Sequence, residues 1–224
     1  MYQTKDLFDL NETYPEVKAL LQTCAYPWEA LPKIGDLIRE IGANLPEEEF
    51  DHPAEDVWIA KSATVFPTVF VQGPAIIGRE TEVRQCAFLR ENALIGERAV
   101  VGNSTELKNV ILFNGVEVPH FNYVGDSILG FKAHMGAGSI TSNVKSDKKH
   151  VVVKDGTEKL DTGRKKVGAF LGDHAEIGCN SVLNPGTVVG RCSQIYPLSS
   201  VRGTVPENSI YKGPGDVVEK RENA

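Results

Sequence analysis

The feature that most constrains this chain is a six-residue register. Counting in sixes from Ile59 gives Val65, Val71, Ile77, Val83, Leu89, Ile95, Val101 and Leu107. Counting again from Leu171 gives Ile177, Leu183, Val189, Ile195 and Val201. Every position is aliphatic. A helix would repeat at 3.6 residues and a plain strand at 2, and neither punctuates itself every sixth residue. Two residues before each aliphatic the side chain is small, as in Ala63, Ala75, Thr81, Ala87 and Ala93, and again in Ala175, Ser181, Thr187 and Ser193. Val57 and Val69 are the exceptions. Glycine often follows, as at Gly78, Gly96, Gly102, Gly172, Gly178 and Gly190. An aliphatic inside, a small residue at a cramped corner and three hexapeptides per turn describe a triangular solenoid whose coils stack through backbone hydrogen bonds. The expected fold is all-β: a parallel β-helix with a small N-terminal helical cap and a protruding loop.

The two blocks are out of phase. Val124-Gly125, Leu129-Gly130 and Met135-Gly136 continue the repeat after a one-residue slip, and residues 144–166 break it altogether. Within that break Val151–Val153 followed by Lys154-Asp155-Gly156 reads as a strand and a turn. This hairpin-like insertion is expected to project from the wall, and such excursions commonly carry function. Upstream, residues 27–43 place Leu31, Ile34, Leu37, Ile38 and Ile41 on one helical face, with Pro27 suited to the start and Gly42 to the end. A shorter helix is expected within 12–23. The resulting division is a helical cap over 1–52, covering the first coil, then the β-helix over 53–205 with its insertion, then a tail over 206–224.

The net charge of -6 and pI near 5.4 disfavour a nucleic-acid surface, which needs clustered basic charge. No segment is long and apolar enough to span a bilayer, and the opening MYQTKDLFDLNET lacks the order of a signal peptide, so a cytoplasmic protein is expected. Cys24, Cys86, Cys179 and Cys192 form no C-x-x-C pair and give no support to a structural zinc site.

The irregular centre holds the candidate chemistry. Lys108, His120 and Tyr123 fall close together in the repeat, and histidine can take a proton at neutral pH. Acyl transfer from a thioester needs a deprotonated amine, placement and a donor for the developing oxyanion. A solvated turn histidine is the alternative on the residues alone. The insertion carries Lys145, Lys148, Lys149, His150, Lys154, Lys159, Arg164, Lys165 and Lys166 in an otherwise acidic protein. That is either an electropositive loop for sugar or CoA phosphates or a hairpin kept solvated by charge.

The segment Val118-Pro119-His120-Phe121-Asn122-Tyr123-Val124-Gly125-Asp126, with Met135-Gly136-Ala137-Gly138-Ser139-Ile140-Thr141-Ser142-Asn143 after it, resembles the acetyltransferase half of bifunctional UDP-N-acetylglucosamine pyrophosphorylase/glucosamine-1-phosphate N-acetyltransferases. The likeness covers residues 75–143 well and 167–205 as generic repeats. It implies a left-handed parallel β-helix and an acetyl-CoA-dependent N-acetyltransferase acting on an amino-sugar phosphate, assembled as a homotrimer with its sites between subunits. It assigns His120 as catalytic base, and Arg90, Lys108, Tyr123, His134, Asn143 and Lys149 to the sugar phosphate; Glu106 also matches a family acid. The acetyl-CoA side falls to Ala137, Cys179, Pro197 and Lys212. No metal is implied. Departures from the family pattern are His134 in place of asparagine, Val144 in place of an aromatic, Cys179 in place of serine, and a position near Pro214 where an arginine is usual, with Arg202 and Lys212 the nearest basic groups. The stretch Asp161-Thr162-Gly163-Arg164-Lys165-Lys166-Val167-Gly168-Ala169 is similar to insertions of archaeal bifunctional sugar-phosphate nucleotidyltransferases.

The pyrophosphorylase half is expected to be absent, since no Gly-rich nucleotide loop of that type opens the chain and 50 residues cannot hold that domain, so uridylyl transfer is not expected. Two other readings stand beside acetyl transfer. One is a sugar-phosphate-binding β-helix that has lost catalysis or changed specificity. The other is a zinc enzyme of the γ-carbonic anhydrase type, against which the five histidines lack the H-x4-H spacing.

Overall fold

The computed structural model describes residues 1–221. Its core is a left-handed parallel β-helix with three walls. The first wall runs from Thr64–Val65 through Val100–Asn103, Glu117–His120 and His134–Met135 to Ser209–Gly213. The second contains Phe70–Val71, the opening residues of Phe88–Ile95, Glu106–Leu112 and Tyr123–Leu129, then Ile140–Thr141, Val182–Leu183 and Ser200–Val201. The closing residues of those long strands enter the third wall, which also holds Val57–Ala60, Ala75–Ile77, Ala169–Leu171 and Thr187–Val189. The registered aliphatics from Ile77 to Leu107 and from Leu171 to Val201 are buried, so the six-residue count names the interior.

The slip has a definite location. Leu89 pairs with Leu107, but Glu91 pairs with Lys108, so Arg90 bulges out of its strand with no partner. The next coil keeps the shorter spacing, with Glu106 opposite Tyr123 and Leu112 opposite Leu129. Val124, Leu129 and Met135 are fully buried, as the slipped repeat requires.

The third wall differs from the other two. Its outward positions Ile76, Leu94, Ile111, Ile128, Phe170 and Val188 are all buried. A strand covered on both faces reads as a continuous apolar run, and Ala75-Ile76-Ile77 or Ala169-Phe170-Leu171 are such runs. The cover is the N-terminal segment: α1 (Thr4–Leu7), α2 (Pro15–Gln22) and α3 (Ile34–Gly42). All five residues expected on one helical face, Leu31 to Ile41, are buried. The segment lies along the wall, with Trp28 against Phe170 and Phe8 against Phe113, instead of closing the first coil. That coil's edge is met by an antiparallel strand, Phe50–Ala54, pairing with Val57–Ala60. Asp173 ties wall to cover: its buried carboxylate accepts the N–H of Asp9 at 2.6 Å and of Phe131 at 2.8 Å.

The insertion leaves the wall between Asn143 and Val167, which are joined by a backbone hydrogen bond. Its hairpin, Val152–Asp155 with Glu158–Asp161, folds back along the solenoid, burying Val151 and Val153. The lack of a side chain at Gly186 lets Val151 approach, since a Cβ there would sit 2.8 Å from it. The region from Pro206 is also more ordered than a tail: Ile210 and Tyr211 pair with Gln194 and Ile195, and the strand then turns into a hairpin with Asp216–Glu219.

Candidate functional site

Two groups of side chains flank the second wall. The first stands at the corner where the first wall turns into the second. Backbone hydrogen bonds run from Phe121 to Asn103, Gly138 to His120, Asn180 to Ala137 and Leu198 to Cys179, each near 3 Å. Residues 103, 120, 137, 179 and 197 therefore stack in one column. Four residues implicated from sequence, His120, Ala137, Cys179 and Pro197, share it over roughly 14 Å, at about 4.8 Å per coil. His120 is exposed. Its backbone is fixed: its N–H donates to Asn122 Oδ1 at 3.0 Å, and Asn122 Nδ2 donates to the Gly136 and Ser139 carbonyls at 2.9 and 3.1 Å. Asn122 is buried, and it joins the histidine's coil to the Gly-Ala-Gly turn of the next. The Ala137 N–H donates to no backbone carbonyl among the described residues.

The second group lies at the opposite edge of the same wall. Asp126 is buried and accepts from Lys108 Nζ at 3.1 Å and Asn109 Nδ2 at 2.9 Å through Oδ1, and from Asn143 Nδ2 at 2.6 Å through Oδ2. Asn143 also reaches the Tyr123 hydroxyl at 3.2 Å. Burial pushes the Tyr123 phenol up, and the neighbouring Asp126 charge adds to it, so the phenol stays protonated. That ring lies over Gly125, where a Cβ would come within 2.5 Å of the hydroxyl. Asn92, Asn109 and Asp126 all take left-handed backbone angles, φ 50°, 54° and 48°. Asn and Asp tolerate that conformation better than other side chains, which is why this corner can be polar.

The structure thus brings Lys108, Tyr123 and Asn143 together around Asp126. Arg90, on the bulge, pairs with Glu106 at 3.1 Å. His134 stands at the far edge of the first wall, its Nδ1 2.8 Å from Glu176, apart from both groups. Lys149 is exposed in the insertion, and Lys212 is exposed beside Tyr196 near the last coil. Sequence reading passed over Asn122, Asn109 and Asp126 as site residues. A signal existed: the small-polar ladder Asn92, Asn109, Asp126 recurs every 17 residues, the shortened coil length.

These features define a hexapeptide-repeat β-helix with a polar, partly buried cluster on one wall. A family model described as the GMPPB C-terminal domain matches residues 54–158. Among curated relatives, a bifunctional sugar-1-phosphate nucleotidylyltransferase/acetyltransferase of Sulfurisphaera tokodaii is 33% identical over 126 residues, covering 56% of this chain and 31% of that protein. A bifunctional protein GlmU of Methanococcus maripaludis is 30% identical over 211 residues, 93% of this chain and 51% of that one. The chain is thus related to GlmU-type bifunctional proteins and spans about half or less of their length. Among solved structures, a putative acetyltransferase of Bacillus cereus matches at a TM-score of 0.40 and 20% identity, covering 72% of this chain and 76% of that one. Perosamine N-acetyltransferase of Caulobacter crescentus, in complex with CoA and GDP-perosamine, matches at 0.39 and 16%, covering 86% and 75%.

Proposed function

We propose that the protein is an acetyl-CoA-dependent N-acetyltransferase whose acceptor is an amino-sugar phosphate such as glucosamine 1-phosphate. One observation carries this reading: His120 stands exposed in a single column with Ala137, Cys179 and Pro197, its backbone pinned by Asn122 and its ring open to a ligand. In the reaction the sugar amine attacks the thioester carbonyl, a C–N bond forms and the C–S bond breaks. His120 accepts the amine proton and passes it to the departing CoA thiolate. The free Ala137 N–H is the donor for the carbonyl oxygen as it gains charge. The acyl donor lies along the column past Cys179 and Pro197, toward Lys212. Tyr123, Asn143 and Lys108 hold the sugar on the second wall, with Arg90 and Lys149 joining from neighbouring surfaces, whereas His134, paired with Glu176, stands apart from this cluster.

A homotrimer with sites between subunits fits this reading. The third wall is already covered by the N-terminal segment, whereas the first two walls expose Phe70, Phe121 and Leu198. Two different open faces meeting around a cyclic axis close such an assembly. The test is to incubate the protein with acetyl-CoA and glucosamine 1-phosphate and follow thiol release. Release that requires the amine supports the assignment; no release with any amino-sugar phosphate leaves the non-catalytic, sugar-phosphate-binding alternative.

A further inference from the structure

The corner ladder Asn92, Asn109, Asp126 opens onto a cleft of about 550 Å³, walled by Leu31-Pro32 on one side and Gly163–Lys166 of the insertion on the other. Its cations are of two kinds. Lys108 is already neutralised by Asp126. Arg164, Lys165 and Lys166 have no carboxylate within ion-pair distance among the described residues. The nearby Asp161 is engaged elsewhere, near the His150 ring at 3.5 Å and accepting the Gly163 N–H. Arg164 Nε is buried with no hydrogen-bond acceptor, which is costly for a charged donor unless something supplies one. A second cleft of about 570 Å³ shares Pro32 and Arg164 with the first and is lined by Tyr26, whose ring stacks on Trp28 at 4.7 Å.

We propose that this paired cleft is a binding site for an organic phosphate, with Arg164 and Lys165 holding the phosphoryl oxygens and the ligand's ring lying against Pro32 and Tyr26. Arg164 lines both clefts, and its planar guanidinium fork suits a phosphate. The amides of Asn92 and Asn109 add neutral polar groups. The cleft shares Lys108 and Asp126 with the sugar cluster of the second wall, so this inference rests on the proposed acceptor site and extends it to the cations of the insertion. The same chemistry is carried by a sugar phosphate and by a nucleotide.

Isothermal titration of the full chain separates these. The probes are glucosamine 1-phosphate, uridine 5′-diphosphate and inorganic phosphate. The expected result is saturable binding of at least one organic phosphate, at least about tenfold tighter than inorganic phosphate, as the ring contacts require. The double variant Arg164→Gln/Lys165→Gln should weaken it by at least about tenfold. Lys159→Gln, on the exposed hairpin, should leave it unchanged, and the circular dichroism spectrum verifies that each variant is folded. The tighter of the two organic probes names the source. No saturable binding by any probe, equal affinity for inorganic phosphate, or unchanged affinity in the folded double variant would each overturn the proposal.

Discussion

The carboxylate of Asp126 meets the ammonium of Lys108 at 3.1 Å, with the Asp126 side chain 3% exposed and that of Lys108 14% exposed. The carboxylate is cut off from bulk water and the ammonium only partly reaches it. Removing one partner of a buried pair leaves the other uncompensated, at a cost of about 3–5 kcal/mol. Asp126→Asn should therefore lower the chemical-denaturation midpoint sharply. The double variant Lys108→Met/Asp126→Asn should recover much of that loss, because both charges are gone while Asn suits the left-handed backbone and keeps an acceptor for the Asn109 and Asn143 amides. Additive losses in the cycle would show that the pair is not coupled.

Asn122 links the His120 N–H to the Gly136 and Ser139 carbonyls. Asn122→Ala removes the partner of the His120 N–H and of the Ser139 carbonyl, while the Gly136 carbonyl still accepts from Ser139, and each lost partner costs about 1–3 kcal/mol. Turnover should fall with the imidazole still present. Asn122→Asp keeps an acceptor for His120 but loses the amide donor, and should restore little. Activity unaffected by both changes would separate the histidine from this network.

Phe170 is fully buried between the third wall and Trp28. Phe170→Ala should cost about 3–5 kcal/mol and loosen the helical cover. The reading is a lower melting temperature with red-shifted tryptophan emission, since Trp28 would gain water. A change in neither would mean that the cover is held elsewhere.

Burial raises the Asp173 carboxyl above its ordinary range, despite the two N–H groups and Arg191 that favour its charge. The folded protein then binds the proton more tightly than the unfolded chain. Stability falls as pH rises from the unfolded value toward the folded one, and the full penalty is present above it. Compared with Asp173→Asn, the wild type should gain relative stability on acidification through that window, measured as denaturation midpoints between about pH 3 and 6. A difference independent of pH would contradict the shift.

Gly102 sits one coil above Pro119, and a Cβ there would overlap the Pro119 carbonyl. Gly102→Ala should prevent the coil carrying His120 from stacking, seen as loss of soluble protein or of the cooperative melt. A normally folded variant would show that the coils tolerate a local spread.

The interior was legible because each coil repeats one rule, aliphatic at every sixth residue, and hydrophobic burial enforces it locally. Where that rule fails, sequence spacing loses its meaning. Counting in sixes passes from Leu89 to Ile95 without a break at Arg90, yet the coil that follows is one residue shorter and leaves Arg90 bulged. The cover over the third wall was written in runs such as Ala75-Ile76-Ile77, whose middle residue faces outward. Six-residue counting looks only at the last of the three. His120, Ala137, Cys179 and Pro197 were each identified separately; their sharing of one column follows from coil lengths. Asn122 and Asp126 resemble ordinary corner residues in sequence, and only their hydrogen bonds set them apart. The insertion's basic content was plain, but which cations stay unpaired depends on how the hairpin folds back.

The central claim rests on His120 as the base. Its most direct measurement is steady-state thiol release from acetyl-CoA with glucosamine 1-phosphate, comparing wild type with His120→Ala. The account predicts acetyl-dependent turnover in the wild type and a fall in kcat of about 10²-fold or more in the variant, with KM for acetyl-CoA little changed. Comparable turnover in the folded variant would contradict it.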